Sequence, residues 1–215
     1  MSKLKIDNKG YWDAFYLKKN ETIRDKTRFA EFMLKNWMGG KKSVLELGCG
    51  NGRDSLYFDA NGMDVVGIDA SEVAINSLNS LKSGCKFICD DFIESEFICQ
   101  RKYDICYSRF TVHAISLEQE YKLIKNVYKA LNDNGIFCVE VRSIHDFLYG
   151  EGECIGKDEF IFDEHYRRFI RINEFLLRLM KAGFVIKYAE ENKGFAPFNG
   201  VDPQIIRVVA AREEC

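Results

Sequence analysis

The sequence predicts a doubly wound α/β domain with a mostly parallel, seven-stranded sheet. Short apolar runs alternate with longer amphipathic segments along the 215 residues, which is the pattern of strands joined by crossover helices. A glycine-rich turn directly follows the first apolar run, as in α/β folds that bind ligands at the carboxyl ends of parallel strands. The last two runs are joined by a loop containing Pro197 and Pro203, without a helix, which predicts a hairpin and an antiparallel edge strand.

Seven segments are predicted as strands because each is a short apolar run bounded by turn-forming or polar residues. In chain order they are 43–47, 64–69, 86–89, 103–107, 135–141, 184–189 and 205–210. Helices are predicted between them, over 73–81, 118–131 and 173–181. No internal repeat interrupts this order, so residues 1–215 are predicted to form a single domain. Within it, residues 1–40 are expected to form a helical cap and residues 143–171 an insertion beside an acceptor pocket.

The composition is that of a globular protein, with 47% hydrophobic and 30% charged residues and a formal net charge of -2. This near balance gives no electrostatic reason to expect nucleic-acid binding. No apolar stretch reaches the length that spans a bilayer, and the first ten residues lack the apolar segment of a signal peptide, so a cytoplasmic location is expected. The eight cysteines form no C-x-x-C pair and are predicted to be reduced and buried, with no metal site.

The glycine-rich turn reads Gly48-Cys49-Gly50-Asn51-Gly52. Glycine is needed where a tight strand-to-helix turn brings the backbone close to a ligand. Arg53 follows, at a position where the dinucleotide fingerprint has glycine or alanine. Glu46 precedes the turn, and a carboxylate there suits a ligand bearing an ammonium and a sulfonium but would repel a pyrophosphate. Asp69 ends the second strand, where it can accept hydrogen bonds from ribose hydroxyls, a feature shared with NAD-dependent enzymes.

Residues 44–74, VLELGCGNGRDSLYFDANGMDVVGIDASEVA, resemble the first motifs of class I S-adenosylmethionine-dependent methyltransferases. The GRDS continuation is similar to small-molecule members of the tellurite-resistance and thiopurine types. The resemblance implies the Rossmann-like methyltransferase fold and S-adenosylmethionine as cofactor. It implies a set of residues that contact this cofactor. They are Trp12, Tyr16, Glu46, Gly48, Cys49, Gly50, Gly52, Arg53, Asp69, Ala70, Asp91, Phe92 and Ser108.

Within that set, the resemblance assigns Asp91 to the adenine amine, in preference to Asp90, and the Phe92 amide to the ring. Ser108 lies in the segment that closes over the methionine portion. Trp12 and Tyr16 would cap the cofactor, and packing on the sheet is a compatible alternative role. Two other functions stay open, a non-catalytic cofactor-binding module and an NAD-dependent oxidoreductase.

Methyl transfer is an in-line displacement, so holding the acceptor in line in a dry pocket supplies much of the catalysis. A hydroxyl acceptor would also need a general base. His113 follows the fourth strand on the crevice side and is the best candidate for a base or a positioning group, with simple packing as the alternative. His165 lies in the predicted insertion and is the second candidate, and His145 is a weaker one.

Four arginines are predicted to bind the acceptor: Arg109, Arg142, Arg167 and Arg168. Guanidinium groups that converge would suit a carboxylate, phosphate or other anionic acceptor. The alternative is that Arg167 and Arg168 are solvated or paired with the neighbouring acids 163 and 164, and at most one of the two should face the site. The Lys-, Asn-, Phe- and Ile-rich, proline-poor composition suggests an AT-rich bacterial genome. Small stand-alone methyltransferases of such organisms often modify sugars or other surface-polysaccharide components, so a sugar acceptor methylated on oxygen is also expected. The segment after the fourth strand, Ser-Arg-Phe-Thr, lacks the Asn/Asp-Pro-Pro-aromatic motif that methylates nucleic-acid bases.

Overall fold

The computed structural model of the chain describes residues 8–18 and 25–213. Its strands are β1 (Ser43–Leu47), β2 (Asp64–Asp69), β3 (Lys86–Cys89), β4 (Tyr103–Arg109), β5 (Leu131–Arg142), β6 (Glu153–Gly156), β7 (Glu159–Phe162), β8 (His165–Arg168), β9 (Val185–Asn192) and β10 (Ile205–Ala211). Its α-helices are α1 (Asn8–Lys18), α2 (Arg28–Asn36), α3 (Arg53–Ala60), α4 (Glu72–Asn79), α5 (Leu117–Ala130) and α6 (Ile172–Lys181). The predicted strands and helices are therefore present, with ends that differ by a few residues.

The main sheet has seven strands in the order β3-β2-β1-β4-β5-β10-β9. The first five of these are mutually parallel, and β10 runs antiparallel between β5 and β9. The predicted doubly wound sheet with an antiparallel hairpin at one edge is confirmed. The direction of winding changes at β1, which pairs with β2 on one side and β4 on the other. Ligands of open α/β sheets bind at the carboxyl ends of the strands beside such a switch point.

Helices cover both faces of the sheet because each carries one apolar stripe that must be buried. On one face, Val127 of α5 and Phe175 of α6 are fully buried. On the other, Phe29 of α2 and Phe58 of α3 are fully buried. The hydroxyl of Ser71 accepts a hydrogen bond from the Ala74 backbone amide and so caps the beginning of α4.

Residues 143–171 form a small antiparallel sheet, β6-β7-β8, which the sequence did not predict. The turn between β7 and β8 consists of Asp163 and Glu164, both with positive φ (51° and 58°), as in two-residue hairpin turns. No glycine marks this turn, so the common sequence signal for a hairpin is missing.

The described cysteines are all free thiols. Cys106 and Cys138 are buried inside β4 and β5, as predicted. Cys89, Cys99 and Cys154 are exposed, so the expectation that the cysteines are buried is wrong for these three. None of the helices in the described residues is long and apolar enough to cross a membrane.

Candidate functional site

A cavity of about 730 Å³ lies at the carboxyl ends of β1, β2 and β4. Its volume is in the range of sites that hold a ligand the size of a nucleoside. It is lined by most of the residues predicted to bind the cofactor and by one predicted acceptor residue. These are Trp12, Tyr16, Glu46, Gly48, Cys49, Gly50, Arg53, Asp69, Ala70, Asp91, Phe92 and Arg109. The predicted residues Gly52 and Ser108 are buried beside this wall and do not line it.

In the turn after β1, the glycines Gly48 and Gly50 line the cavity with backbone atoms because they have no side chains. Gly48 and Gly50 have φ of +73° and +54°, in the left-handed region that favours glycine. A Cβ on Gly48 would overlap the methyl group of Thr111, and one on Gly50 would overlap the hydroxyl group of Tyr16. The Gly48 N–H donates to the Ile68 carbonyl at 2.8 Å, which holds the turn on the end of β2. Glycine is therefore required here for both conformation and space.

Glu46 is a buried carboxylate in the cavity wall. The Ser55 hydroxyl donates a hydrogen bond to its Oε2. Burial raises the pKa of Glu46 well above its ordinary value, and the nearby Asp54 carboxylate raises it further. Among the residues described, no cationic group lies within 4 Å of it. The charge of Arg53 opposes this rise, and a cationic ligand in the cavity would oppose it further.

Asp69 is held rigidly at the end of β2. Its Oδ2 accepts the Gly50 N–H at 2.8 Å and its Oδ1 accepts the Ser71 N–H at 2.9 Å. Burial raises the pKa of Asp69, and these two hydrogen bonds oppose the rise. Each oxygen keeps a second lone pair, so the carboxylate can accept hydrogen bonds from two neighbouring ligand hydroxyls.

The segment after β3 contributes two carboxylates to the cavity wall. Asp90 is half-buried and its Oδ1 accepts the Asp91 N–H, whereas Asp91 is exposed and its Oδ1 accepts the Ile93 N–H at 2.8 Å. Both carboxylates retain lone pairs for a ligand amine. The preference for Asp91 stays a prediction.

Helix α1 covers one side of the cavity with Trp12 and Tyr16. Burial raises the pKa of Tyr16, and the charge of Asp69 raises it further. The helix is fixed by Asp13, whose Oδ1 accepts a hydrogen bond from the Ser71 hydroxyl at 2.7 Å. Sequence reasoning missed Asp13, because this contact joins residues 58 positions apart and leaves no local signal.

Phe110 and Thr111 line the cavity after β4 and were also missed. Phe110 has φ of +58°, which is strained for an aromatic residue and is typical of functional sites. The guanidinium groups of Arg109 and Arg142 lie 4.2 and 5.4 Å from the centroid of its ring. The Thr111 hydroxyl hydrogen bonds with that of Ser108 and so turns the Thr111 methyl group onto Gly48.

The two candidate histidines are buried outside the cavity lining. The Nδ1 of His113 accepts the Arg142 N–H at 3.4 Å, and burial and the Arg142 charge lower its pKa well below the ordinary value. His165 stacks on Tyr11 at 4.5 Å and meets Trp12 edge-on at 5.2 Å. Burial and the charge of Arg167 lower the pKa of His165 to about 4. Both imidazoles are therefore neutral at physiological pH, and a role as general base stays a prediction.

His145 lies elsewhere. Its ring is exposed and its Nδ1 is 2.6 Å from Oε1 of Glu191, outside the cavity lining.

Three of the four arginines predicted to bind the acceptor are paired with carboxylates. Arg109 donates from Nε to Oε1 of Glu140 at 2.8 Å, and Arg142 donates to both carboxylate oxygens of Asp146 at 3.0 Å. Arg168 is buried in the core, where it donates to Glu120 and, at 3.1 Å, to the Ile115 carbonyl. Its Nη2 atom also donates to the Val112 carbonyl at 3.4 Å, and Arg168 does not line the cavity, so its substrate role stays a prediction.

A family profile described as "Methyltransferase domain" matches residues 44–135. The chain is 29% identical over 119 residues to a carboxy-S-adenosyl-L-methionine synthase of Nautilia profundicola, covering 52% of this chain and 49% of that protein. It is 31% identical over 100 residues to a phosphoethanolamine N-methyltransferase of Plasmodium falciparum, covering 45% and 37%. The matched segment thus spans about half the length of these relatives, or less.

Among solved structures, a 1,6-didemethyltoxoflavin-N1-methyltransferase of Burkholderia thailandensis, with S-adenosylhomocysteine bound, superposes with a TM-score of 0.74 at 15% identity, covering 96% of this chain and 87% of that one. TehB of Haemophilus influenzae gives a TM-score of 0.64 at 21% identity, covering 94% and 67%. The fold is therefore that of class I S-adenosylmethionine-dependent methyltransferases. Residues 44–135 match the methyltransferase profile, and the match covers β1 to the beginning of β5.

Proposed function

We propose that this chain, with its methyltransferase domain, transfers a methyl group from S-adenosylmethionine to a small-molecule acceptor. The observation that carries the proposal is a pair of buried carboxylates, Glu46 and Asp69, in the wall of a glycine-lined cavity. Neither has a cationic partner within 4 Å among the residues described. This wall complements a cationic, ribose-bearing ligand and would repel the pyrophosphate of a dinucleotide.

The residues present fit this cofactor. Its methionine portion would lie on the turn at Gly48 and Gly50, and its ribose hydroxyls would donate to Asp69. Asp91 and the backbone amide of Phe92 would hold the adenine ring. When bound, the cofactor supplies an electrophilic methyl group on a sulfonium sulfur. The chain's part is to orient the two reactants and to keep water out.

The acceptor would enter beside Phe110 and Thr111, which follow β4 on one side of β1, since Asp69 and Asp91 follow β2 and β3 on the other side. As in the sequence analysis, the proposed acceptor is anionic or a sugar, and its methylated atom is oxygen. The Plasmodium falciparum relative is named for a small acceptor that bears a phosphate, which supports the anionic class. If the acceptor is a hydroxyl group, His113 and His165 are the proposed groups that accept its proton, and the pKa of His165, lowered to about 4, makes it a weak base.

We also propose that the reaction takes place in the cytoplasm and involves no nucleic acid. The free thiols of the described cysteines fit a reducing compartment. Because acidic and basic residues are nearly balanced, the net charge of the chain does not attract nucleic acid.

Calorimetric titration with S-adenosylhomocysteine and with NADH tests the cofactor assignment. We expect binding of the former only, and at least tenfold weaker binding by the Asp69→Asn variant, because its amide turns an N–H group toward a backbone or ribose donor. Asp64→Asn is the matched control, since Asp64 begins the same strand and lies at the far end from the cavity. Binding of NADH alone, or equal affinity of the Asp69→Asn variant and the wild type, would refute the assignment.

Transfer itself is tested with methyl-labelled S-adenosylmethionine and a pool of cell metabolites. We expect label in a small-molecule product, in a smaller amount with the Asp69→Asn variant than with the wild type. Cofactor binding without any labelled product would instead favour a non-catalytic binding module.

A further inference from the structure

The two consecutive arginines of β8 point to opposite faces of the small sheet. Alternation along a strand places residues 165 and 167 on one face and residues 166 and 168 on the other. His165 contacts Tyr11 and Trp12 of α1, so the first face lies against this helix. Arg168 reaches Glu120 of α5 in the core. Arg167 is therefore the member of the pair that faces α1.

Arg167 is a half-buried cation without a counter-ion in the described part of the chain. Its guanidinium carbon lies 5.8 Å from the ring centroid of Phe162. The charges of Asp163 and Asp146 raise the pKa of Arg167, but neither carboxylate forms an ion pair with it within 4 Å. Burial and the charge of Arg142 lower the pKa of Arg167. Taking a guanidinium group out of water without pairing it is costly, which is typical of a site that awaits an anion.

A second observation at the same place is the Nδ1 atom of His165, which is buried and has no hydrogen-bond partner in the described residues. Buried polar atoms without a partner are rare in folded proteins, and a bound ligand would satisfy this one. The imidazole ring lies beside Trp12, and Trp12 lines the cofactor cavity. Arg142, whose charge acts on both His165 and Arg167, lies over Phe110, another residue of the cavity wall. The seam between α1 and β8 thus adjoins the cavity through two aromatic residues.

We propose that this seam binds a compact anionic group of the methyl acceptor, a carboxylate or a phosphate, with Arg167 as its main cationic ligand. The inference rests on the proposed methyl transfer, because it assigns the seam to the acceptor of that reaction. A guanidinium group can bind either anion through two parallel hydrogen bonds. Arg142 contributes charge while it remains paired with Asp146. Arg109 and Arg168 are each paired with a buried glutamate.

The binding test uses protein saturated with S-adenosylhomocysteine and titrated with inorganic phosphate and, separately, with malonate. We expect one of the two anions to bind in the millimolar range or tighter. The Arg167→Ala variant should bind it at least tenfold more weakly, while its affinity for S-adenosylhomocysteine stays within twofold of the wild type. Arg167→Lys should fall between the two, because it keeps the charge and loses the paired hydrogen bonds.

Arg101→Ala is the matched control. Arg101 is an exposed arginine that pairs with Asp64 at the opposite end of the main sheet, and its loss should leave anion affinity unchanged. Equal anion affinity of the wild type and the Arg167→Ala variant would overturn the proposal. So would failure of the wild type to bind either anion.

A second test uses a cell extract separated on a strong anion exchanger. With labelled S-adenosylmethionine, the methylated product should arise from the retained fraction, and the Arg167→Ala variant should form it with a raised acceptor KM. Product from the unretained fraction alone would overturn the anionic acceptor and leave methyl transfer intact. No S-adenosylhomocysteine binding by the wild type would refute methyl transfer itself.

Discussion

Replacing Glu120 with alanine would leave two arginines buried in the core without their shared counter-ion. Glu120 is fully buried, and its two carboxylate oxygens accept hydrogen bonds from Arg168 and from Arg178. The side chains of these arginines are only 6% and 9% exposed, so water cannot replace the lost carboxylate. The triad joins β8, α5 and α6, and its loss affects the attachment of the small sheet to the core.

Breaking a buried ion pair from one side costs about 3–5 kcal/mol. Arg168 keeps its bond to the Ile115 carbonyl, so we expect the lower part of this range, about 3–4 kcal/mol. For a domain of this size, each kcal/mol lowers the melting temperature by roughly 2–4 °C, which gives a decrease of about 6–16 °C. Glu94→Ala is the control, because its pair with Lys122 is exposed and contributes at most about 1 kcal/mol.

The assay is urea unfolding at pH 7, followed by far-ultraviolet circular dichroism, with S-adenosylhomocysteine affinity measured on the same variants. A triple variant with Glu120→Leu, Arg168→Met and Arg178→Met should recover much of the lost stability, because it also removes the unpaired charges. A loss below about 1 kcal/mol for Glu120→Ala would refute the reasoning, since the arginines would then be stable without the carboxylate.

Two further predictions concern the cofactor turn and the seam. Gly48→Ala should weaken S-adenosylhomocysteine binding at least tenfold by calorimetry, because its Cβ meets Thr111, whereas Gly62→Ala, with positive φ but open space, should leave it unchanged. The pKa of His165 is lowered from 6.5 to about 4, so its contribution to stability is complete above pH 6.5 and is lost as the pH falls toward 4. Between pH 7 and 5, urea unfolding should show the wild type losing about 2 kcal/mol more than His165→Phe. Equal losses would contradict this, and exposed His145→Phe is the control.

The cofactor side of the site could be predicted from the sequence because its signals are local. Glu46, the glycine turn and Arg53 lie within eight consecutive positions. The turn joins β1 directly to α3, which restricts its backbone conformation. Asp69 is the last residue of β2, the parallel neighbour of β1, and the alternation of strands and helices in the sequence already predicts this position. Where an apolar run predicts a strand, the residue at its carboxyl end is predicted to lie at the edge of the sheet that binds the ligand.

The acceptor side could not be predicted to the same depth, because its residues come from distant segments. The strained φ of Phe110, the seam contacts of His165 and the hydrogen bond from Ser71 to Asp13 all depend on packing between elements far apart in the chain. The turn between β7 and β8 carries no glycine, so the sequence predicted that Arg167 and Arg168 face different sides but not which of them faces α1.

The sequence by itself determined the doubly wound sheet and the glycine turn at the proposed cofactor site, since both follow from local periodicity and from the conformational needs of glycine. Only the tertiary structure decided which arginine is paired in the core and which faces α1 without a counter-ion among the described residues. The physical reason is that the cost of a buried charge depends on its partners in space, and the carboxylate that pairs with Arg168 lies 48 positions away.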